Sequence, residues 1–332
     1  MRKVTIRDVA KEAGVSISTV SNALNDVDTI NAQTKERVLE AVEKLNYIPN
    51  LNGRFLKSGE SRTLGFFTNT MSGPYFNVLV EAMCREADTN GYNIIIFVLK
   101  DVPAIMSNIM GRNLDGVLIF EDMGFNEAEM NTLKGSGIPA VFLDREIADE
   151  KISSIVFDSY KGGYDATRYL INLGHKKIGF LAGSPTMYDS RERFRGYRAA
   201  LAEYGIEYDE RHTITGYFSE EYTYNSVKSA ARLPEFVLPD AMLAGNDQSA
   251  IGCIKALTSE GYSIPKDMSI IGFDDLDVSQ YFTPALTTVR NPMARQGLMA
   301  VDMLLDLIKG EQGMVRKLDG QLIVRNSCEI VK

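Results

Sequence analysis

From Thr63 onward the chain alternates short apolar runs with helical patterns, and this rhythm restricts the fold more than any other feature. The runs Leu64–Thr68, Tyr92–Leu99, Gly116–Phe120 and Ala140–Leu143 are bounded by turn residues. Helical spacing fills the gaps, as with Phe76, Leu79, Val80 and Met83 on one face. Continuous apolar runs separated by helices require a parallel sheet covered on both sides. The rhythm starts again at Ile155, with further runs at Lys177–Leu181, Ala241–Ala244 and Met268–Gly272. A second α/β lobe of the same kind follows. In such sheets ligands sit beyond the carboxyl ends of the strands.

The first sixty residues have another texture. Thr5 and Asp8 form a capping-box pattern at the start of a helix whose small apolar face is Val9, Ala10 and Ala13. Gly14 stands where that helix stops and the chain turns. Ser16 caps a second helix, with Val20 and Leu24 inward and Ile17, Ser18, Ser21 and Asn22 on the other face. A third helix follows, capped by Asn31, with Val38, Leu39, Val42 and Leu45 as its apolar stripe. It ends at Tyr47-Ile48-Pro49, since the residue before proline avoids helical geometry. Two capped helices around one glycine turn suit a helix-turn-helix that enters a major groove about 12 Å wide. The same spacing also occurs in ordinary helical domains.

Charge gives DNA binding little support. Residues 1–60 carry 9 Lys+Arg against 8 Asp+Glu, a net of +1, and the remainder carries 27 against 36, a net of −9. A head at +1 has no general basic field, so affinity must come from positioned contacts and dimerisation. The longest apolar run, Ile94–Leu99, is six residues, far short of a membrane span. The N-terminus opens with charge and a capped helix, so no signal peptide is expected. Cys84, Cys253 and Cys328 lack metal spacing and suit free thiols in a reducing cytoplasm.

The stretch TIRDVAKEAGVSISTVSNALN resembles the N-terminal signature of the lac-repressor family of bacterial transcription regulators. The resemblance continues through QTKERVLEAVEKLNYIPN and NLNGRFLKS, then LDGVLIF, IPAVFLDR, LGHKKIGFLAG, RFRGYRAAL, GNDQSAIG, GFDD and YFTPALTTV. These motifs keep their order over essentially the whole chain. The resemblance implies a small all-α helix-turn-helix head with hinge at 1–60 and an α/β, two-lobed core at 61–332. That core is similar to periplasmic sugar-binding proteins, with two parallel sheets. The chain would cross between lobes near Asp158, Val289 and Leu322, giving an N-lobe of about 61–158 and 290–321 and a C-lobe of about 159–289 and 322–332.

The resemblance also assigns roles. Contacts to double-stranded operator DNA fall on Thr5, Ser16, Ile17, Ser18, Thr19, Ser21, Asn22 and Asn25, with Arg54 and Leu56 from a hinge at Asn50–Lys57. Leu56 matches a leucine wedged into the minor groove, which bends the duplex by unstacking base steps. Asn22 departs from the family's frequent arginine, and Asn52 and Gly53 depart from its better helix formers in the hinge. The effector cleft takes Tyr75, Phe76, Arg145, Arg193, Phe218, Asn246 and Asp274. Carboxylate, amide and guanidinium groups suit vicinal hydroxyls, and aromatic faces suit a sugar ring. Asp247 and Asp275 fit better as caps of the helices that follow, and His175 as a structural residue.

An enzyme is the competing class, and the residues argue against it. The chain has two histidines and no tryptophan, and no nucleophile–base pair, dinucleotide fingerprint or Walker sequence. No cofactor and no metal are expected. The expected function is repression of a carbohydrate-utilisation operon, relieved by a small sugar or sugar phosphate. The alternatives are a nucleobase effector or a phosphorylated carrier-protein co-regulator. With no heptad tail after VRNSCEIVK, a homodimer is favoured over a tetramer.

Overall fold

The computed structural model describes residues 4–24, 30–48, 60–120 and 124–331. The chain divides into two compact units, Met1–Ser61 and Arg62–Lys332. The first unit contains α1 (Ile6–Ala13), α2 (Ile17–Leu24) and α3 (Ala32–Lys44). Thr5 caps α1, its backbone N–H and hydroxyl both donating to Asp8 Oδ2, at 2.9 and 2.7 Å. Gly14 stops the helix in the left-handed region at φ +65°, where a side chain would be strained. Ser16 Oγ then accepts from Thr19 N at 3.1 Å and starts α2. Val9, Ala10, Ala13, Val20, Ala23, Val38, Ala41 and Tyr47 form one small core. Leu39, read from sequence as part of the stripe of α3, is 47% exposed. It lies one residue, about 100° of helix, from Val38, and Ala41 takes the inward position instead.

The second unit holds two six-stranded sheets, as the alternation of apolar runs requires. The first comprises β1 (Thr63–Thr68), β2 (Asn93–Val98), β3 (Gly116–Phe120), β4 (Ala140–Phe142), β5 (Ile152–Phe157) and β11 (Val315–Leu318). Its order is β11-β5-β4-β3-β1-β2, parallel throughout. The second comprises β6 (Ile178–Ala182), β7 (Thr213–Thr215), β8 (Ala241–Ala244), β9 (Ser269–Asp274), β10 (Thr287–Arg290) and β12 (Gln321–Ile323). Its order is β12-β10-β9-β8-β6-β7, parallel except for β12 against β10. Helices α4 (Pro74–Thr89), α5 (Val102–Gly111), α6 (Glu127–Ser136) and α12 (Met293–Ile308) cover the first sheet. The second is covered chiefly by α7 (Ser159–Asn172), α8 (Tyr188–Glu203), α9 (Glu220–Ala231) and α10 (Asp247–Ser259). A short α11 (Asp277–Tyr281) follows β9. Each sheet thus has an apolar cluster on both faces.

Ile155, where the rhythm was read as restarting, lies inside β5 of the first sheet. Ser153 and Ser154 hide the start of this strand in the sequence. Their buried hydroxyls accept from Met314 N at 3.1 Å and Ile147 N at 3.0 Å, so the polar groups are satisfied within the sheet. The chain passes between the sheets three times, after β5, between β10 and α12, and between β11 and β12. Arg290 still pairs with Asp274 in the second sheet, and Gln321 pairs with Arg290.

Candidate functional site

Close helix packing sets the position of one wall of a cavity in the core. A Cβ on Gly163 of α7 would lie 2.4 Å from the Arg193 carbonyl oxygen of α8, and one on Gly196 would lie 2.0 Å from Tyr160 O. Only glycines allow these backbones to touch, so α8 and its Arg193 are held against α7. Arg193 is 4% exposed. One guanidinium nitrogen, Nη1, donates to Gly245 O, and Nη2 lies 4.0 Å from Asp189 Oδ2. The guanidinium carbon sits 3.9 Å from the centre of the Phe273 ring and 5.4 Å from that of Phe218. Among the described residues its buried Nε has no hydrogen-bond partner, a donor available to a ligand.

These groups belong to a cavity of about 870 Å³ beyond the carboxyl ends of both sheets. Tyr75, Phe76, Arg193, Phe218, Asn246 and Asp274, all read from the sequence, line it together. Tyr75 and Phe76 sit in the first turn of α4. The Tyr75 hydroxyl donates to Gln296 Oε1 at 2.9 Å, and Gln296 in turn donates to Ile155 O at 3.1 Å. Asn246 Oδ1 caps α10 through Ser249 N at 2.9 Å, while its Nδ2 donates to Phe218 O at 3.1 Å.

Asp274 ends β9 at φ +108° and is 7% exposed. Burial pushes its carboxyl up to about 7, opposed by the Arg193 charge and reinforced by Asp247. Burial also raises the Tyr75 hydroxyl well above its ordinary range, with Asp189 and Asp274 adding to the effect. The run Gly216-Tyr217-Phe218 predicts a short strand ending at Phe218. Instead β7 stops at Thr215, and Tyr217 and Phe218 both adopt left-handed backbone at φ +52° and +59°. Such residues cost about 1–3 kcal/mol each and recur at ligand sites. Gly183 and Gly245 make room for the Phe218 ring, since a Cβ there would approach it to 2.2 and 2.8 Å.

Arg145 is not among the lining residues. Its guanidinium pairs with its neighbour Asp144 at 2.8 Å and lies 5.0 Å from the centre of the Phe142 ring. Asp247 and Asp275 do not cap helices. Asp247 is fully buried and accepts from Leu276 N, Ser279 Oγ and Thr288 Oγ1 at 2.8, 2.6 and 2.6 Å. It ties α10 to the ends of β9 and β10, and burial raises its carboxyl to about 6 despite those bonds. Asp275 pairs with Arg290 at 2.7 Å and Arg325 at 2.6 Å. His175 is buried against Glu329 O at 3.1 Å, in a structural setting.

Sequence reasoning missed Asp189, Thr70, Tyr217, Glu220, Glu221, Tyr224, Gln248 and Lys255, all of which line the cavity. Asp189 had a readable signal, since it precedes Arg193 by four residues and so shares its helix face. Its Oδ1 accepts from the buried Ser159 Oγ at 2.7 Å.

In the head unit, Ile17 is 45% exposed and Ser18 is exposed, while Thr19, Ser21 and Asn22 are half-buried. Ser16 Oγ meets Ser18 Oγ at 2.7 Å and Thr19 Oγ1 at 2.8 Å. Thr5 and Ser16 thus have hydroxyls engaged at helix starts. Asn25, Arg54, Leu56 and the hinge segment Asn50–Lys57, with Asn52 and Gly53, lie outside the described residues. Among the described residues no helix is long and apolar enough to cross a membrane.

Residues 5–50 match the bacterial regulatory proteins of the lacI family, and residues 167–328 match a periplasmic binding protein-like domain. The chain is 34% identical over 309 residues to the HTH-type transcriptional repressor PurR of Actinobacillus pleuropneumoniae serotype 3 (strain JL03), covering 92% of this chain and 91% of that one. Among solved structures, the lac repressor dimer bound to operator and the anti-inducer ONPF has a TM-score of 0.86 at 28% identity, over 99% of this chain and 100% of that one. The complex of the transcriptional regulator CelR with cellobiose has a TM-score of 0.73 at 27% identity, over 98% and 100%. The head's capped helices, the paired sheets with a cavity at their carboxyl ends, and these likenesses agree: the chain belongs to the lacI family, as a DNA-binding transcriptional regulator with a ligand-binding core.

Proposed function

We propose that the regulator is a homodimeric repressor released from its operator by a neutral small sugar. The observation that carries the ligand class is the pair of acidic groups, Asp189 and Asp274, beside the buried Arg193 with its free Nε donor. Acceptors and a donor side by side suit vicinal hydroxyls, and the Phe218 ring offers an apolar face. With Lys255 paired to Glu220, Asp189 and Glu221 outnumber Arg193 in the cavity even when Asp274 holds its proton, which disfavours a sugar phosphate. The sugar bound by CelR in its complex supports the same class.

The DNA contacts proposed for the described residues are Thr5, Ser16, Ile17, Ser18, Thr19, Ser21 and Asn22. The dimer surface is the outer edge of the first sheet, where Ile95, Ile96 and Val98 of β2 are 43%, 38% and 53% exposed. An apolar edge strand left in water invites pairing with another chain. Sugar that draws the two sheets together shifts the first sheet relative to its dimer mate, and operator affinity changes in step with sugar affinity.

A thermal-shift panel of neutral sugars, sugar phosphates and purine bases tests the ligand class. A neutral sugar at about 100 times its Kd contributes about 2.7 kcal/mol, or roughly 4–5 °C in Tm for a chain of this size. A rise of that size with a purine or sugar phosphate, and none with neutral sugars, overturns the reading.

A further inference from the structure

The cavity has a graded interior. Arg193, Asn246 and Asp274 are at most 7% exposed. Farther out, the same cavity is lined by Tyr217, which is 50% exposed, by the exposed Glu221 and by the half-buried Tyr224 and Gln248. Glu221 and Tyr224 lie three residues apart on α9 and so share a helix face. Lys255 of α10 neutralises Glu220 at 2.5 Å, so Glu221 is the outer carboxylate whose charge that ion pair does not consume.

Adjacent residues serve the two zones. Phe218 sits in the notch of Gly183 and Gly245, whereas the Tyr217 ring leans edge-on against Tyr222 at 4.8 Å and keeps half its surface open. Left-handed backbone at both positions places one aromatic ring in each zone.

We propose that the cavity is a two-ring site: one sugar ring engages Asp274, Arg193 and Asn246, and a second, linked ring lies between Tyr217 and Tyr224 with a hydroxyl on Glu221. The inference rests on the neutral-sugar reading and extends it to disaccharides. The volume agrees. About 870 Å³ lies near the upper end of the roughly 300–1,000 Å³ of small-molecule sites, which leaves room for more than one sugar ring. A single hexose would leave the Tyr217–Glu221 zone in water. A second ring covers it, and the Glu221 carboxylate favours hydroxyls there over a phosphate or uronate.

Calorimetric titration of the full-length protein tests this with glucose, galactose, mannose and xylose, the disaccharides maltose, cellobiose, lactose, melibiose and xylobiose, and adenine, guanine and glucose 6-phosphate as controls. The expected result is a disaccharide that binds at least tenfold tighter than each of its component monosaccharides. Tyr217→Ala and Glu221→Gln should each bring that disaccharide down toward the monosaccharide value. Glu221→Gln preserves shape and serves alone if Tyr217→Ala does not fold. A monosaccharide that equals every disaccharide overturns the two-ring site and leaves the sugar reading standing. So does a disaccharide whose advantage survives both variants. Binding only to the purines or the phosphate, or to nothing in the panel, counts against both readings.

Discussion

The second sheet brings charge to the cavity and the first brings mostly neutral groups. Asp274 ends β9, Asn246 follows β8, and Asp189 and Arg193 ride on α8 after β6. From the first sheet come Thr70, Gly73, Tyr75, Phe76 and Phe120. The outer edges differ in the opposite sense. Strand β2 exposes Ile95, Ile96 and Val98, whereas β7 offers the half-buried Thr213-Ile214-Thr215. Two lobes with one βα plan therefore divide the work by side chain rather than by fold. In the proposed account the second recognises the ligand, and the first closes over it and meets a second copy of the chain.

The largest effect expected within this division is on the reading side. Arg193→Ala should weaken sugar binding by about 2–4 kcal/mol, roughly 30- to 1,000-fold, because a charged group that engages hydroxyls leaves its partners unpaired when removed. Calorimetry on the variant checks this, and unchanged affinity would move recognition away from α8. On the mating side, Ile96→Asp places a charge on the β2 edge. It should weaken the dimer by about 2 kcal/mol, roughly 30-fold in dissociation constant, while sugar affinity per subunit is kept. Sedimentation across a dilution series reads the first, and titration of the monomer the second.

A smaller effect comes from pH. Sugar hydroxyls donate to the Asp274 carboxylate, yet the free site holds a proton up to about pH 7. Sugar affinity should therefore rise about tenfold between pH 6 and 8 and flatten above that. Stability runs the other way. The folded state keeps this proton at pH values where the unfolded chain, at the ordinary 3.8, has lost it. That contribution is present below about pH 4 and is lost as pH rises towards 7, and Asp274→Asn should flatten this part of the Tm profile. Smallest is Tyr75→Phe, which removes the bond to Gln296 and should cost about 0.5–1.5 kcal/mol of stability, with little change in sugar binding.

What the sequence disclosed follows from locality. Capping and periodicity act over three or four residues, so Thr5, Ser16, Asn31 and most of the strands were readable. Side chains whose partners lie far along the chain were not. Asp247 resembles a cap because it opens a helix, yet its three donors come from residues 276, 279 and 288. Arg145 stands beyond a strand end like a ligand contact, and its neighbour Asp144 captures it. The outer zone at Tyr217 was hidden because left-handed backbone in two bulky residues leaves no pattern in composition. Buried serines concealed β5 in the same way.

The division between the lobes is tested most directly by operator titration of Asp274→Ala, with and without the best-binding sugar, at fixed salt. Operator affinity without sugar should equal that of the unmodified protein, and saturating sugar for the latter should leave the variant's affinity unchanged. Normal release by sugar would show that the second lobe does not read the ligand through Asp274. Loss of operator binding in the absence of sugar would show that this residue belongs to the DNA-binding state itself, and the proposed separation of reading from response would fail.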